Sequence, residues 1–240
     1  MKLTTLAAIC AALVGIGCNP PPPQPTATKT SEGDASTAQA GVNAAQNRSA
    51  LVRFVNAEPT IDKAEITFGD QKAFSEVAYR GVTPYQELPS DRREFRLSGA
   101  GAANALASNV EGLTAGRHYT LVAMRGPDNR ALLSAFSEPM KPPAAGKANV
   151  RIINAATNEG DLALYNTGAN DRIFDGVKFG DGTSFKEIDA GPAVLELRSH
   201  NRKTAGKRVQ NRTLEAGKFY TLIALGDGNQ ETIFIQDELR

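Results

Sequence analysis

The 240-residue sequence predicts an all-β fold of two tandem β-sandwiches, preceded by an export signal and a disordered tether. Three observations support this prediction. A block of about 90 residues occurs twice, each copy contains short runs of alternating apolar and polar residues, and no stretch after residue 50 sustains a helical apolar period. The predicted organisation is a signal peptide at 1–17, a tether at 18–49, sandwich repeats at 50–140 and 149–240, and a linker at 141–148.

The first eighteen residues predict export and lipid attachment. Lys2 precedes an apolar run from Leu3 to Ile16, which has the length of a signal-peptide core and is too short to span a bilayer stably. Gly17 and Cys18 end this run and resemble a bacterial lipobox, in which the Cys is acylated and becomes the mature N-terminus. Gly15 stands where that motif usually has a large aliphatic residue, so an ordinary secretory signal is the alternative. We expect lipid on Cys18 and, in a cell with two membranes, an outer-membrane location facing the periplasm or the surface.

Composition excludes several classes of function. Lys+Arg 27 against Asp+Glu 26 gives a formal net charge of +1, which does not favour nucleic acid as a partner. Two Cys cannot form a disulfide scaffold or a four-thiolate zinc site. Residues 19–49 contain five prolines among Ala, Thr, Ser and Gln, and so polar a segment cannot bury enough apolar surface to offset its ordering entropy.

Three sequence anchors recur in the same order at offsets close to 100 residues, so the repeated unit has the size of a domain. The opening anchor is VRFVNA in the first copy and VRIINA in the second. Alternation within the copies predicts six or seven strands each, as in 64–68, where the apolar residues share one face. Short strands separated by turn residues favour antiparallel sandwiches. The anchor pairs are 52–57 with 150–155, 83–88 with 183–188, and 113–126 with 214–227.

A duplicated tyrosine makes the sandwich prediction more specific. The pattern Leu-x-Ala-Gly-x-x-Tyr ends at Tyr119 in the first copy and at Tyr220 in the second. It resembles the tyrosine corner of immunoglobulin-like and fibronectin-like sandwiches, where a buried hydroxyl bonds to the backbone a few residues upstream. We therefore interpret both tyrosines as structural, and the fold as two immunoglobulin/fibronectin-like antiparallel β-sandwiches.

The chain resembles the bacterial domain-of-unknown-function family 4397 from residue 50 to the end of the second copy. The resemblance rests on a V-R-x-x-N/H-A opening, a mid-domain aromatic before Glu, and an A-G-x-x-Y-T-x-x-A closing strand. Members are exported, often as lipoproteins and often with tandem copies, and the resemblance implies the same here. Asn56 and Asn154 stand where many members have His. The family has no established catalytic residues, so the resemblance implies none.

No motif indicates catalysis or metal binding. His118 precedes the corner Tyr119, its counterpart is Phe219, and alternation places it on the face opposite to Tyr119. His200 lies in a predicted polar turn. Neither G-x-S-x-G nor H-E-x-x-H occurs, and the two Gly-Asp-Gly sequences indicate turns because the spaced acids of a calcium loop are missing. We therefore expect no catalytic residues, no metal, no cofactor and no enzyme activity.

A basic segment is the candidate binding site. Residues 198–212 contain six basic side chains and no acidic one, whereas the matching hairpin of the first copy is nearly uncharged. A positive surface of this kind would suit an anionic envelope polymer. The alternative is a solvated hairpin whose charges protect a sheet edge. The candidate residues are Arg198, Arg202, Lys203, Lys207, Arg208 and Arg212.

These features predict a non-enzymatic envelope lipoprotein that acts as a binding or structural interaction module. The expected partners are the membrane, through the lipid anchor, and an envelope protein or glycan, and not nucleic acid. One alternative is a module that binds carbohydrate or an anionic polymer through the basic hairpin, and a second is an accessory to an envelope-polymer enzyme. A carbohydrate site needs exposed rings, which only Tyr79, Tyr165 or a few Phe can offer in a chain without Trp.

Overall fold

The computed structural model describes residues 48–199, 208–226 and 231–237, so the predicted signal, Cys18 and nearly all of the tether lie outside the described residues. The described residues form sixteen strands. They contain no helix, and hence none that is long and apolar enough to span a membrane. The all-β prediction is confirmed, with eight strands in each copy rather than six or seven.

The strands divide equally between the two copies, which we call repeat 1 and repeat 2. Repeat 1 contains β1 (Ser49–Ala57), β2 (Lys63–Phe68), β3 (Gln71–Ala78), β4 (Gln86–Pro89), β5 (Arg92–Gly99), β6 (Ala107–Gly112), β7 (His118–Arg125) and β8 (Ala131–Glu138). Repeat 2 contains β9 (Lys147–Asn154), β10 (Leu162–Asn166), β11 (Asp171–Val177), β12 (Lys186–Asp189), β13 (Gly191–Ser199), β14 (Arg208–Leu214), β15 (Phe219–Leu225) and β16 (Glu231–Asp237). β4 and β12 have four residues each, which is too short for alternation to reveal them.

Each repeat is a sandwich of an inner and an outer four-stranded sheet. In repeat 1 the inner order is β4-β1-β7-β8 and the outer order is β3-β2-β5-β6. Repeat 2 has the same arrangement, with β12-β9-β15-β16 inside and β11-β10-β13-β14 outside. The pairings of β1 with β7 and of β9 with β15 are parallel, whereas the other strand pairs are antiparallel as predicted. The fold therefore adds one parallel pair to each predicted antiparallel sandwich.

The central inner strands are buried on both faces, which explains their almost uninterrupted apolar sequence. In β1, Val52 and Phe54 pack in the core of repeat 1, whereas Val55 and Ala57 belong to a separate core shared with repeat 2. We call this shared cluster the inter-repeat core. Its buried members are Val55, Ala57, Val122, Met124, Ile153, Ala155, Ile223, Leu225 and Ile233.

The Asn of each opening anchor fixes the corner that follows its strand. The Asn56 amide nitrogen donates to the carbonyl oxygens of Ile61 and Val77, and its Oδ1 accepts from the backbone N–H of Glu58. Asn154 repeats this pattern and bonds to the carbonyl oxygen of Val177. Because each buried amide satisfies backbone groups from both sides of the corner, the anchor Asn is a structural residue.

We expect both repeats to unfold in one transition, because the inter-repeat core belongs to both. Ile223→Ala should lower the free energy of unfolding by about 2–5 kcal/mol, since this side chain is fully buried between the repeats. Urea unfolding followed by circular dichroism measures this change. Leu106→Ala is the control, because Leu106 is 52% exposed and its loss should cost less than about 0.5 kcal/mol. Two separate transitions in the wild type would contradict the shared core.

Candidate functional site

Four charged residues lie together between the inner sheets and form what we call the seam cluster: Arg53, Glu138, Arg151 and Asp237. Nη1 of Arg53 donates to both carboxylate oxygens of Asp237, at 2.9 and 2.7 Å, and its Nη2 lies 3.2 Å from Oε1 of Glu138. Nη2 of Arg151 donates to the same Oε1. The Arg53, Arg151 and Glu138 side chains are at most 3% exposed. Two positive and two negative charges thus compensate one another out of water, where an isolated charge would cost several kcal/mol.

The seam cluster follows the sequence repeat. Arg53 and Arg151 are the second residues of the two opening anchors. Glu138 and Asp237 are equivalent because they end β8 and β16, the last strands of their repeats. Each arginine therefore bonds to the terminal-strand acid of the other repeat. This reciprocity is typical of an isologous interface between two copies.

Neutral neighbours from the same repeat hold each arginine in place. The Arg Nε donates to a Thr hydroxyl, at 2.7 Å in repeat 1 and 3.0 Å in repeat 2. Each guanidinium also lies over an aromatic ring, 4.8 and 4.9 Å from the ring centre, which is a favourable cation–π distance. The sets are Arg53 with Thr120 and Tyr85, and Arg151 with Thr221 and Phe185.

Glu138 is the most heavily bonded member of the seam cluster. Its Oε1 accepts from both arginines and from the Thr120 hydroxyl, and its Oε2 accepts from the Tyr85 hydroxyl. Burial alone would raise the pKa of Glu138, but the charges of Arg151 and Arg53 hold that pKa below its usual value. Glu138 is therefore ionised at neutral pH.

For Asp237, Tyr85 and His118, burial is the largest cause of the pKa shift. Burial raises the pKa of Asp237, against the opposing charge of Arg53. Burial, together with the charge of Glu138, also raises the pKa of Tyr85, so that the phenol stays protonated. Burial lowers the pKa of His118, whose ring meets the Tyr85 ring edge-on at 5.0 Å. His118 is thus neutral at pH 7 and half-buried beside the seam cluster.

A cleft of about 780 Å³ opens to solvent at one end of the seam, and we call it the inter-repeat cleft. Repeat 1 contributes the loop before β4 and one end of β1 and β7, and repeat 2 contributes Lys218 and the end of β16. Arg53 and Asp237 form part of its floor, and Val82, which is 38% exposed, lies at its rim. The lining residues used below are Leu51, Val82, Pro84, Tyr85, Glu87 and His118.

Of the basic candidates within the described residues, Arg198 and Arg212 lie apart, whereas Arg208 is paired with Glu196, two positions from Arg198. Arg198 on β13 bonds to Glu196 and lies 4.1 Å over the Tyr165 ring, whereas Arg212 on β14 lies 4.9 Å over the Phe234 ring. Arg212 pairs with Ala193, five positions along β13 from Arg198, so the two lie about 16 Å apart along the sheet. Arg208 is the first residue of β14, and Arg202, Lys203 and Lys207 lie outside the described residues.

The two duplicated tyrosines bond to the backbone upstream of their strands. The Tyr119 hydroxyl accepts from the backbone N–H of Thr114 at 3.0 Å and donates to the Gly112 carbonyl at 3.4 Å. The Tyr220 hydroxyl accepts from the backbone N–H of Glu215 at 2.8 Å. Both therefore fix the approach to an inner strand and lie away from the inter-repeat cleft. In the described ranges no group of three or more His, Cys, Asp or Glu side chains could hold a metal ion.

Sequence reasoning missed the seam cluster, although its arginines stand in the most obvious repeated motif. A charge between apolar residues in a strand that is otherwise continuously apolar, as in VRFVNA and VRIINA, indicates a buried ion pair. The sequence does not indicate the acidic partners of these arginines, because Glu138 and Asp237 end strands whose packing depends on contact between the two repeats. The sequence marks Tyr85 only as the mid-domain aromatic residue of the repeated motif.

Residues 50–165 match the family model described as a domain of unknown function, DUF4397. Over these residues the chain is similar to the DUF4397 family. The match confirms the resemblance over residues 50–165, and the remainder of repeat 2 lies beyond it. It runs from β1 into β10, so the DUF4397 region includes all of repeat 1 and both seam arginines.

Solved structures that are similar to this chain include the following two, and no curated protein matches it. One is the Bacillus anthracis TIE protein, with 9% identity and a TM-score of 0.25 over 74% of this chain and 34% of that chain. This chain thus spans about a third of the TIE protein. The other is described as "Alpha-glucan binding by a streptococcal virulence factor", with 13% identity and a TM-score of 0.26 over 76% of this chain and 95% of that chain. Both TM-scores are too low to transfer a function to the DUF4397 region.

Removing the charge of Glu138 should destabilise both repeats together. Glu138→Gln leaves two buried arginines facing only Asp237, and breaking a buried ion pair in this way costs about 3–5 kcal/mol. Urea unfolding at pH 7 measures the loss. Glu76→Gln is the control, because the Glu76–Lys63 pair is more than half exposed and should contribute less than about 1 kcal/mol. Equal effects of the two substitutions would contradict the role of the seam cluster.

The protein should lose stability at acid pH, because the pKa of Glu138 is lowered in the folded state. Since the pKa of Glu138 is lowered in the folded state, its contribution is complete above the usual Glu pKa of about 4.3 and is lost as the pH falls through the folded value. Asp237 acts in the opposite direction, because its raised pKa lets the folded state take up a proton first. The acid-side loss of stability should therefore be smaller in Glu138→Gln than in the wild type.

Proposed function

We propose that this chain is a non-enzymatic, exported bacterial envelope lipoprotein that binds a partner in the inter-repeat cleft. The observation that carries the proposal is the cleft itself, whose volume of about 780 Å³ lies in the range of ligand sites. Ligand sites occur preferentially at domain interfaces, and the walls of this one are held by the seam cluster. A site with fixed walls loses little entropy when it binds.

The chemistry of the cleft favours binding over catalysis. Arg53 is bonded to Asp237 and Glu138, and the Tyr85 hydroxyl is bonded to Glu138, so these groups hold one another rather than a substrate. The nearby His118 contacts the Tyr85 ring and is kept neutral by burial, which lowers its pKa. The basic hairpin is less favoured as the ligand site, because Arg198 and Arg212 lie apart and each covers an aromatic ring.

A photo-crosslinking amino acid placed in the cleft should capture the partner in intact cells. Val82 is the position of choice, because it is 38% exposed and lines the cleft. Leu106 is the matched control, since it is 52% exposed and lies elsewhere on repeat 1. We expect an adduct from position 82 and none from position 106. Equal adducts at both positions, or none at position 82, would overturn the cleft as the binding site.

The proposed location rests on the sequence at Cys18, and labelled palmitate tests it. The wild-type chain should retain the label and fractionate with the outer membrane. Cys18→Ala should lose the label, because a bacterial lipobox acylates its Cys. Cys10→Ala is the control and should keep it, since Cys10 lies within the signal that cleavage removes. A wild-type chain without label would show that the anchor proposal is wrong.

A further inference from the structure

The inter-repeat cleft has an equivalent on repeat 2, and the strand registers define it. In repeat 1, Leu51 of β1 is paired with Glu87 on one side and with His118 on the other. In repeat 2, Asn149 of β9 is paired with Glu187 and Phe219 in the same way. Three residues that line the cleft therefore have three counterparts at the opposite end of the seam. The equivalent pairs are Leu51 with Asn149, Glu87 with Glu187, and His118 with Phe219.

On repeat 2, Asn149 and Glu187 bind a segment of polypeptide, residues 139–146 between β8 and β9, which we call the linker from here on. The Asn149 side-chain amide donates to the carbonyl oxygen of Lys141 at 3.0 Å, and the backbone N–H of Ala144 donates to the carboxylate of Glu187 at 3.2 Å. Pro142 and Pro143 lie between these two bonded residues and have no N–H of their own. The repeat 2 surface thus binds the carbonyl before a proline pair and the N–H after it.

The equivalent residues at the two ends of the seam differ in burial. Asn149 is 5% exposed and Phe219 is fully buried, whereas Leu51 and His118 are only half-buried and line the open cleft. Glu87 retains the carboxylate that accepts the N–H on repeat 2. Leu51 lacks the amide of Asn149, so repeat 1 keeps one of the two polar groups and has apolar surface in place of the other.

We propose that the inter-repeat cleft binds an extended X-Pro-Pro-X segment of another protein, and this inference rests on the proposed function. The N–H after the proline pair donates to Glu87, and the prolines lie against Leu51, Pro84 and the Tyr85 and His118 rings. Proline-rich segments bind aromatic-lined grooves in this way because their extended helix is formed before binding. Residues 43–46 of this chain, which correspond in sequence to 141–144, read Asn-Ala-Ala-Gln and do not supply the proline pair. The tether has prolines at 20–23, and the deletion described below tests this competing source.

The probe is a capped peptide with the sequence of residues 139–147, PMKPPAAGK, titrated against the full chain in detergent and followed by the anisotropy of a dye on the peptide. We expect saturable binding that is at least about fivefold weaker when both central prolines are replaced by Ala, because the extended helix is then no longer fixed. Glu87→Gln should weaken binding about two- to tenfold, as expected for one hydrogen bond to a charged group. Glu76→Gln, on an exposed strand outside the cleft, should leave it unchanged.

A gain of affinity provides the sharpest test. Leu51→Asn restores the amide that binds the linker on repeat 2, so it should strengthen peptide binding about two- to tenfold. Unchanged affinity in both Leu51→Asn and Glu87→Gln would overturn the proposal, because neither contact would then exist. Binding that appears only after residues 19–47 are deleted would also overturn it, since the occupant would then be this chain's own tether.

Failure of this inference differs from failure of the proposed function. If position 82 captures a glycan or a lipid and the peptide does not bind, the cleft is a binding site and the peptide proposal is wrong. If position 82 captures nothing and the peptide does not bind, both proposals are wrong. A captured protein whose crosslinked segment contains a proline pair would support both.

Discussion

Two arginines and two carboxylates buried between the inner sheets constrain the remainder of this structure. Each arginine finds an acid at the end of the other repeat's last strand, so neither repeat alone reproduces these pairings. Their geometry fixes how the inner sheets face one another, and the inter-repeat core then supplies the apolar contact area around the charges. A buried ion pair of this kind contributes more to the choice of one arrangement than to net stability, because desolvation offsets much of its attraction. The walls of the cleft take their positions from this arrangement.

Duplication produced two equivalent ends of one interface, and sequence divergence made them different. At one end Phe136 packs so closely on Gly182 that a Cβ there would lie 2.7 Å from the ring. At the other end the counterpart of Gly182 is Val82, which is exposed at the rim of the cleft. The same backbone therefore gives a closed end, crossed by the linker, and an open one. Local differences between the two copies therefore decide which end of the interface is open.

The sequence was sufficient to predict the sandwiches and their order, because alternation and the repeated anchors depend on residues close together in the chain. It was not sufficient for the seam. The bond between Arg53 and Asp237 joins residues 184 positions apart, and no local pattern indicates which distant acid a buried arginine will find. The parallel pairing of β1 and β7 was missed for the same reason. The cleft depends on the path of the linker outside the strands, which no residue pattern specifies. The sequence instead pointed to the basic hairpin as the binding site, because a sequence shows charges directly but does not show the shape of a surface.

The parallel pairing of β1 with β7 also determines when β1 can find its partner strand during synthesis or export. A chain that leaves the ribosome or a translocation channel amino end first delivers β1 long before its partner, since Arg53 and Thr120 are 67 residues apart. Contacts of such separation form slowly, and an apolar strand that waits for its neighbour is prone to aggregation. The side chains exposed to this risk of aggregation are Val52, Phe54 and Val55, which are fully buried in the folded protein. How long these side chains stay exposed depends on when β7 arrives rather than on the sequence of β1 itself.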